Sequence, residues 1–152
     1  MHLSSKKLIP NKFSQNRQLY TYKPISKNMA FGILYFKQGK VNKSNSFLKS
    51  EVEDLKSQLN DSPGNYELHR RLGLAYAYLN DKKSALYELK LSASMLSIEV
   101  DALYGPFYLF SLAEVYHLFG NRLESKKILD SLNDLDAGIL KYDFKKSWRW
   151  RI

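Results

Sequence analysis

Three stretches of this chain align without a gap: "FGILYFKQGKVNKSNSFLKS" from residue 31, "LGLAYAYLNDKKSALYELKL" from residue 72 and "LAEVYHLFGNRLESKKILDS" from residue 112. The copies are spaced by 41 and then 40 residues. Self-similarity at such a period marks a repeat architecture, and it constrains the fold more than any local propensity. Six columns match. Phe31, Leu72 and Leu112 share one; Gly32, Gly73 and Ala113 the next; then Tyr35, Tyr76 and Tyr116. A turn column holds Gly39, Asn80 and Gly120, a small-residue column Ser44, Ala85 and Ser125, and a last column Leu48, Leu89 and Leu129. The bulky residue, its small neighbour and the Tyr lie on adjacent turns of a first helix, where a small side chain admits a partner helix closely. Gly or Asn after the Tyr suits the left-handed conformation that ends a helix. The Ser or Ala column marks the crossing of a second helix, whose apolar face the Leu extends. Each copy is thus expected to be an antiparallel helix pair, and the chain an all-α protein of three such pairs.

The second copy, with Leu72, Gly73, Tyr76, Ala85 and Leu89, resembles the tetratricopeptide repeat (TPR) family, and the third keeps Leu112, Tyr116, Ser125 and Leu129. The period exceeds the family's repeat of about 34 residues. His69 and Leu109 stand where the family has Trp, and the closing Pro is absent. The added residues fall around "NDSPGNYE" and "SIEVDALYGP", implying longer connections or longer second helices. The resemblance implies a right-handed solenoid over residues 29–138, working through a concave groove lined by first helices. Its groove positions fall on Glu67, Arg70, Leu74, Ala77 and Tyr78 in the second copy, and on Phe107, Phe110, Glu114, His117 and Leu118 in the third. Leu74 replaces an Asn with which some members clamp a C-terminal carboxylate, so the groove implied is rather aromatic and suits an apolar helix or segment. Packing of these residues against the adjoining repeat is the competing expectation.

In this frame "FGILYFKQG", residues 31–39, opens the first leading helix and its turn; a short buried strand and an interfacial helix are the alternatives. Its eight-residue apolar run "MAFGILYF" is far short of a membrane span.

The net charge of +9 is unevenly placed: residues 1–50 hold ten Lys or Arg and no acidic residue. Residues 1–28 show no sustained period and read as an extended basic arm. It is either a solvated tail or an arm laid along RNA or an acidic protein, with Lys6, Lys7, Lys12, Arg17, Lys23 and Lys27 replacing counterions. The same segment, rich in Ser and Asn, has features of an organellar transit peptide, although Lys takes the place of the usual Arg. An organelle interior, mitochondrion or plastid, is therefore favoured over the cytoplasm, and secretion is not expected. Residues 139–152 form a basic aromatic tail with Lys145, Lys146, Trp148, Arg149, Trp150 and Arg151. Its apolar residues fit a strand period and, through Leu140, Phe144, Trp148 and Ile152, a helical stripe. A helix would cap the last repeat, a strand would need a sheet edge on another protein, and the Trp-Arg ending also suits an anionic membrane surface.

The sequence has no cysteine, which excludes disulfides, thiolate metal sites and cysteine nucleophiles. It has no glycine-rich phosphate loop, no G-x-S-x-G elbow and no H-E-x-x-H. Glu114 and His117 have the E-x-x-H spacing of di-iron bundles without a second such pair, and read as surface residues of a first helix. No cofactor, metal or small-molecule substrate is expected. The expectation is a non-enzymatic scaffold or adaptor in a larger multi-protein assembly. The alternatives are an RNA-associated subunit of a ribonucleoprotein such as an organellar ribosome and, behind it, a peripheral membrane assembly factor.

Overall fold

The computed structural model describes residues 25–102 and 104–134, and every regular element among them is an α-helix. In chain order these are α1 Lys27–Lys37, α2 Val41–Asp61, α3 Tyr66–Tyr78, α4 Lys82–Met95, α5 Gly105–Leu118 and α6 Arg122–Asp134. The all-α expectation holds for these residues. "FGILYFK" lies within α1 and Gly39 in the turn after it, so the strand reading of that run is corrected. Its stripe of Met29, Gly32 and Ile33 packs inward at helical, not two-residue, spacing.

The helix ends follow from local chemistry. Ser26 caps α1 by accepting the Met29 N–H at 3.0 Å, so the helix begins inside the segment assigned to the arm and takes Lys27 and Asn28 with it. Asn65 accepts from the Glu67 and Leu68 N–H groups, and Asp81 and Asn121 cap α4 and α6 in the same way. The three turn-column residues all adopt left-handed backbone, with φ of 69° at Gly39, 63° at Asn80 and 74° at Gly120. Each turn closes identically. The next residue's N–H returns to the Tyr-column carbonyl, Lys40 to Tyr35, Asp81 to Tyr76 and Asn121 to Tyr116, at 2.8–2.9 Å, which is the Schellman pattern.

The first copy lacks one part: Lys40 occupies the cap of α2 without a side-chain bond, where copies two and three have Asp81 and Asn121. Lys40→Asp is expected to add about 0.5–1 kcal/mol, read as a higher urea midpoint at unchanged slope. Asp81→Ala should lose about 1 kcal/mol at neutral pH. Hydrogen bonds from the Ser84 side chain and then its N–H hold the Asp81 carboxyl below its ordinary 3.8. The charged form is thus favoured by folding, so its contribution is present above the unfolded value and is lost as pH falls through the lower folded one. The gap between Asp81→Ala and the parent should narrow below pH ~3.8; an equal gap at acid and neutral pH would contradict the cap.

The small columns sit under the Leu columns. A Cβ on Gly32 would lie 2.6 Å from Leu48, and one on Gly73 would lie 2.6 Å from Leu89 and 3.1 Å from the Ala85 carbonyl. Leu48, Leu89 and Ala85 are fully buried. The added residues of the long period are spent in two ways. α2 runs 21 residues against 14 for α4, whereas α4 and α5 are joined by a nine-residue connection. Gly105, where α5 begins, leaves no room for a Cβ against the backbone of Ser97 and Ile98.

One apolar core runs from Met29 of α1 through Leu48, Val52 and Leu55 of α2 to Leu68, Leu72 and Ala75 of α3, Leu89 of α4, and Leu112 and Val115 of α5. α3 and α5 are buried around most of their circumference, while α2 and α4 each bury one face. The difference follows from contacts: α3 touches α1, α2, α4 and α5.

Candidate functional site

The ten groove residues implied by the repeat register all lie on α3 and α5, and the structure divides them into two groups. Arg70, Leu74, Ala77, Tyr78 and Phe110 are buried, the most exposed of them at 6%. Glu67, Phe107, Glu114, His117 and Leu118 are half-buried. Arg70, Leu74 and Tyr78 lie in the seam between neighbouring first helices, and all five residues of this group are closed to a partner by their burial. Tyr78 meets the edge of Phe36 on α1, ring centroids 5.2 Å apart. A cavity of about 10 Å³, room for a single water, remains between Met29 and Ile33 of α1, Leu74 and Tyr78 of α3, and Glu114 of α5.

At the N-terminal end of α3 the structure gathers a polar cluster. Arg70, 2% exposed, is held by Glu67 through Nε to Oε2 at 3.0 Å and NH2 to Oε1 at 2.7 Å. Its guanidinium lies 4.7 Å from the centroid of the Phe107 ring, and NH1 reaches Ser111 Oγ at 3.5 Å. The Tyr108 hydroxyl donates to Glu67 Oε2 at 3.0 Å. Burial, and then the charge of Glu67, push the Tyr108 phenol far above its ordinary value, so it is a permanent donor. Glu67, Arg70 and Phe107 were foreseen as neighbours in a groove; Tyr108 and Ser111 were not. The signal was present in the register, because both stand one residue beyond the third-copy equivalents of Glu67 and Arg70.

Two further partly buried pairs tie first helices to second ones. His69 Nδ1 lies 2.6 Å from Glu88 Oε2 of α4, and its Nε2 is 2.9 Å from the Pro63 carbonyl. Glu51 of α2, 1% exposed, accepts from Arg71 at 2.8 Å and from the Ser26 hydroxyl. His69 therefore makes a polar bridge from α3 to α4 and to the Pro63 carbonyl. The arrangement can orient helices and present charge. Among the described residues no group of three or more His, Asp or Glu is placed to hold a metal ion.

Of the residues proposed for RNA or an acidic partner, Lys27 lies in the first turn of α1 with its ammonium 6.0 Å from the Phe31 ring centroid. Lys6, Lys7, Lys12, Arg17, Lys23, Lys145, Lys146, Trp148, Arg149, Trp150 and Arg151 lie outside the described residues, as do the capping helix or strand of the tail and most of the arm. Among the described residues no helix is long and apolar enough to cross a membrane. No protein-family model matches this chain, and neither a curated protein nor a solved structure matches it.

Proposed function

We propose that this chain is a non-enzymatic TPR-like scaffold in which three antiparallel helix pairs wind into a short right-handed solenoid. Its work is to hold protein partners within a larger assembly, with basic ends as auxiliary contacts. The observation that carries the reading is a recurring packing device: a left-handed turn residue in all three copies, and in the first two a small first-helix residue set against a fully buried Leu of the second helix, whose third-copy equivalent, Leu129, is half-buried. Stacked copies of such a unit bury a continuous core and leave extended surfaces whose natural use is binding. The contacts of α1 with α3 and of α3 with α5 support a row of first helices along one side.

The accessible part of that row is not the seam. Charging Tyr78 or Phe110, both buried, would break the core instead of testing the surface. Glu114→Lys with His117→Glu, at half-buried positions on α5, is the suitable probe. The deciding experiment is a native pull-down of the full chain with and without nuclease. A fixed set of proteins that survives nuclease and is lost with the α5 double variant is the expected result. A second reading, a ribonucleoprotein subunit, is favoured by the ten basic and no acidic residues of positions 1–50. It requires partners that vanish with nuclease, steep salt dependence, and loss of binding when residues 1–24 are removed, a cut that spares the Ser26 cap of α1.

A further inference from the structure

The three copies are equivalent in sequence register but not in burial, and one face of α1 stands out. Position 75 of α3 and position 115 of α5, Ala75 and Val115, are 0% and 1% exposed, while their equivalent in α1, Leu34, is 46% exposed. Leu68 and Tyr108 are buried, while their equivalent Lys27 is exposed. In copies two and three this face is covered by the helices before it, α1 and α2 over α3 and α4 over α5. Among the described residues no helix precedes α1. The face that results is aromatic at its centre: Phe31, Tyr35 and Phe47 lie against one another with centroids 5.3–6.3 Å apart, all half-buried. It is basic around the rim, with the Lys40 and Lys43 ammonium groups 5.9 and 5.6 Å from the Tyr35 ring centroid.

We propose that this face of α1 and the start of α2 is a docking surface for an acidic amphipathic helix of a partner protein, seated as α2 is seated on α3. The second copy shows the fit. There Lys56 of the incoming α2 lies 5.7 Å from the centroid of Tyr76, the equivalent of Tyr35, and the neighbouring receiving position is Glu88. In the first copy the equivalent of Glu88 is Phe47 and the rim is lysine, so the incoming helix must carry carboxylates where α2 carries Lys56. Charge also argues against the chain's own ends as occupants. Residues 1–24 hold five Lys or Arg and no acid, and residues 139–152 are basic as well. An RNA strand is the poorer fit, because the three rings pack on one another at interplanar angles of 22–32° instead of standing apart as successive stacking platforms. The proposal supplies partner chemistry for the scaffold reading and rests on it only in requiring that the partner be a protein.

The test uses the full chain and a labelled synthetic peptide of ~20 residues, long enough to hold a helix, with Leu at helical spacing on one face and Glu at its borders. A peptide of the same apolar face with Lys at the borders is the control. Anisotropy titrations at ~150 mM salt should show the acidic peptide binding at least about tenfold more tightly than its Lys counterpart. Leu34→Glu, and Lys40→Glu with Lys43→Glu, should each weaken it at least about tenfold. These positions are exposed, and new acids in the first turn of α2 favour that helix, so misfolding does not explain a loss. No binding of the acidic peptide, equal binding of both peptides, insensitivity to the variants, or displacement by a uridine oligonucleotide would each overturn the proposal. Such a failure leaves the nuclease pull-down free to succeed, so the two readings fail separately.

Discussion

Replacing Glu67 by alanine is expected to cost the fold about 3–5 kcal/mol, because it strands the guanidinium of Arg70 in a nearly dry seam. Arg70 is 2% exposed and Glu67 supplies two of its hydrogen bonds, while the Phe107 face and the Ser111 hydroxyl that also meet it carry no formal charge. Tyr108, itself buried, loses its acceptor in the same step. Against a typical domain stability of about 5–15 kcal/mol, such a loss moves the urea midpoint far down or removes the transition altogether. Arg70→Met should cost less, since the charge that must be desolvated leaves with the side chain and the volume is roughly kept. Combining Glu67→Ala with Arg70→Met should therefore recover stability relative to Glu67→Ala alone. If the double variant is the less stable of the two, the pair is not what makes Glu67 matter.

Leu89→Ala is expected to cost about 2–5 kcal/mol, the range for emptying a fully buried leucine site that its neighbours fill only in part. Leu89 is 0% exposed and packs where Gly73 brings α3 and α4 together. Gly73→Ala should cost about 1–3 kcal/mol by overpacking, less up to about 1 kcal/mol that alanine returns as helix propensity. The added methyl would meet Leu89 Cγ at 2.6 Å and backbone at 3.1 Å. The two changes share one space, so a double-mutant cycle should show the pair costing less than the two singles together. Additive costs would place the clash of Gly73 on the α4 backbone, not on the leucine. Gly32 and Leu48 make the same contact in the first copy, with the added Cβ again 2.6 Å from the leucine, and the same cycle there tests whether the device is shared.

What was legible in the sequence was whatever the chain enforces locally. The turn residues Gly39, Asn80 and Gly120 were readable because only residues tolerant of positive φ end a helix in that way, and all three do so. The contact of the small column with the Leu column was readable because a missing side chain is itself a packing instruction. The caps were readable in kind, yet the start of α1 fell inside the segment assigned to the arm, because Ser26 caps a helix whose first turn has no apolar pattern to announce it. The groove residues lie on the expected helices, and for five of the ten the competing expectation, packing against the adjoining repeat, is the one their burial fits. Arg70, Leu74, Ala77, Tyr78 and Phe110 are buried because helix spacing, which no local signal encodes, decides whether a side chain lines an opening or fills a seam.

The ionic bridges lay further from view. His69 pairs with Glu88, Arg71 with Glu51 and Arg70 with Glu67, although the repeat register marks none of these as a pair. Arg70 and Glu67 stand three residues apart on α3, whereas only the approach of α2 and α4 to α3 turns the other two into pairs. The same holds for Leu34, which looks like any apolar residue of a first helix and is exposed only because no described helix lies where α2 lies on α3. The sequence by itself determined the helices, their ends and their repeat, since these depend on φ, capping and spacing within a few residues. Tertiary structure alone decided which equivalent positions are covered, because burial depends on what stands on the other side of the face.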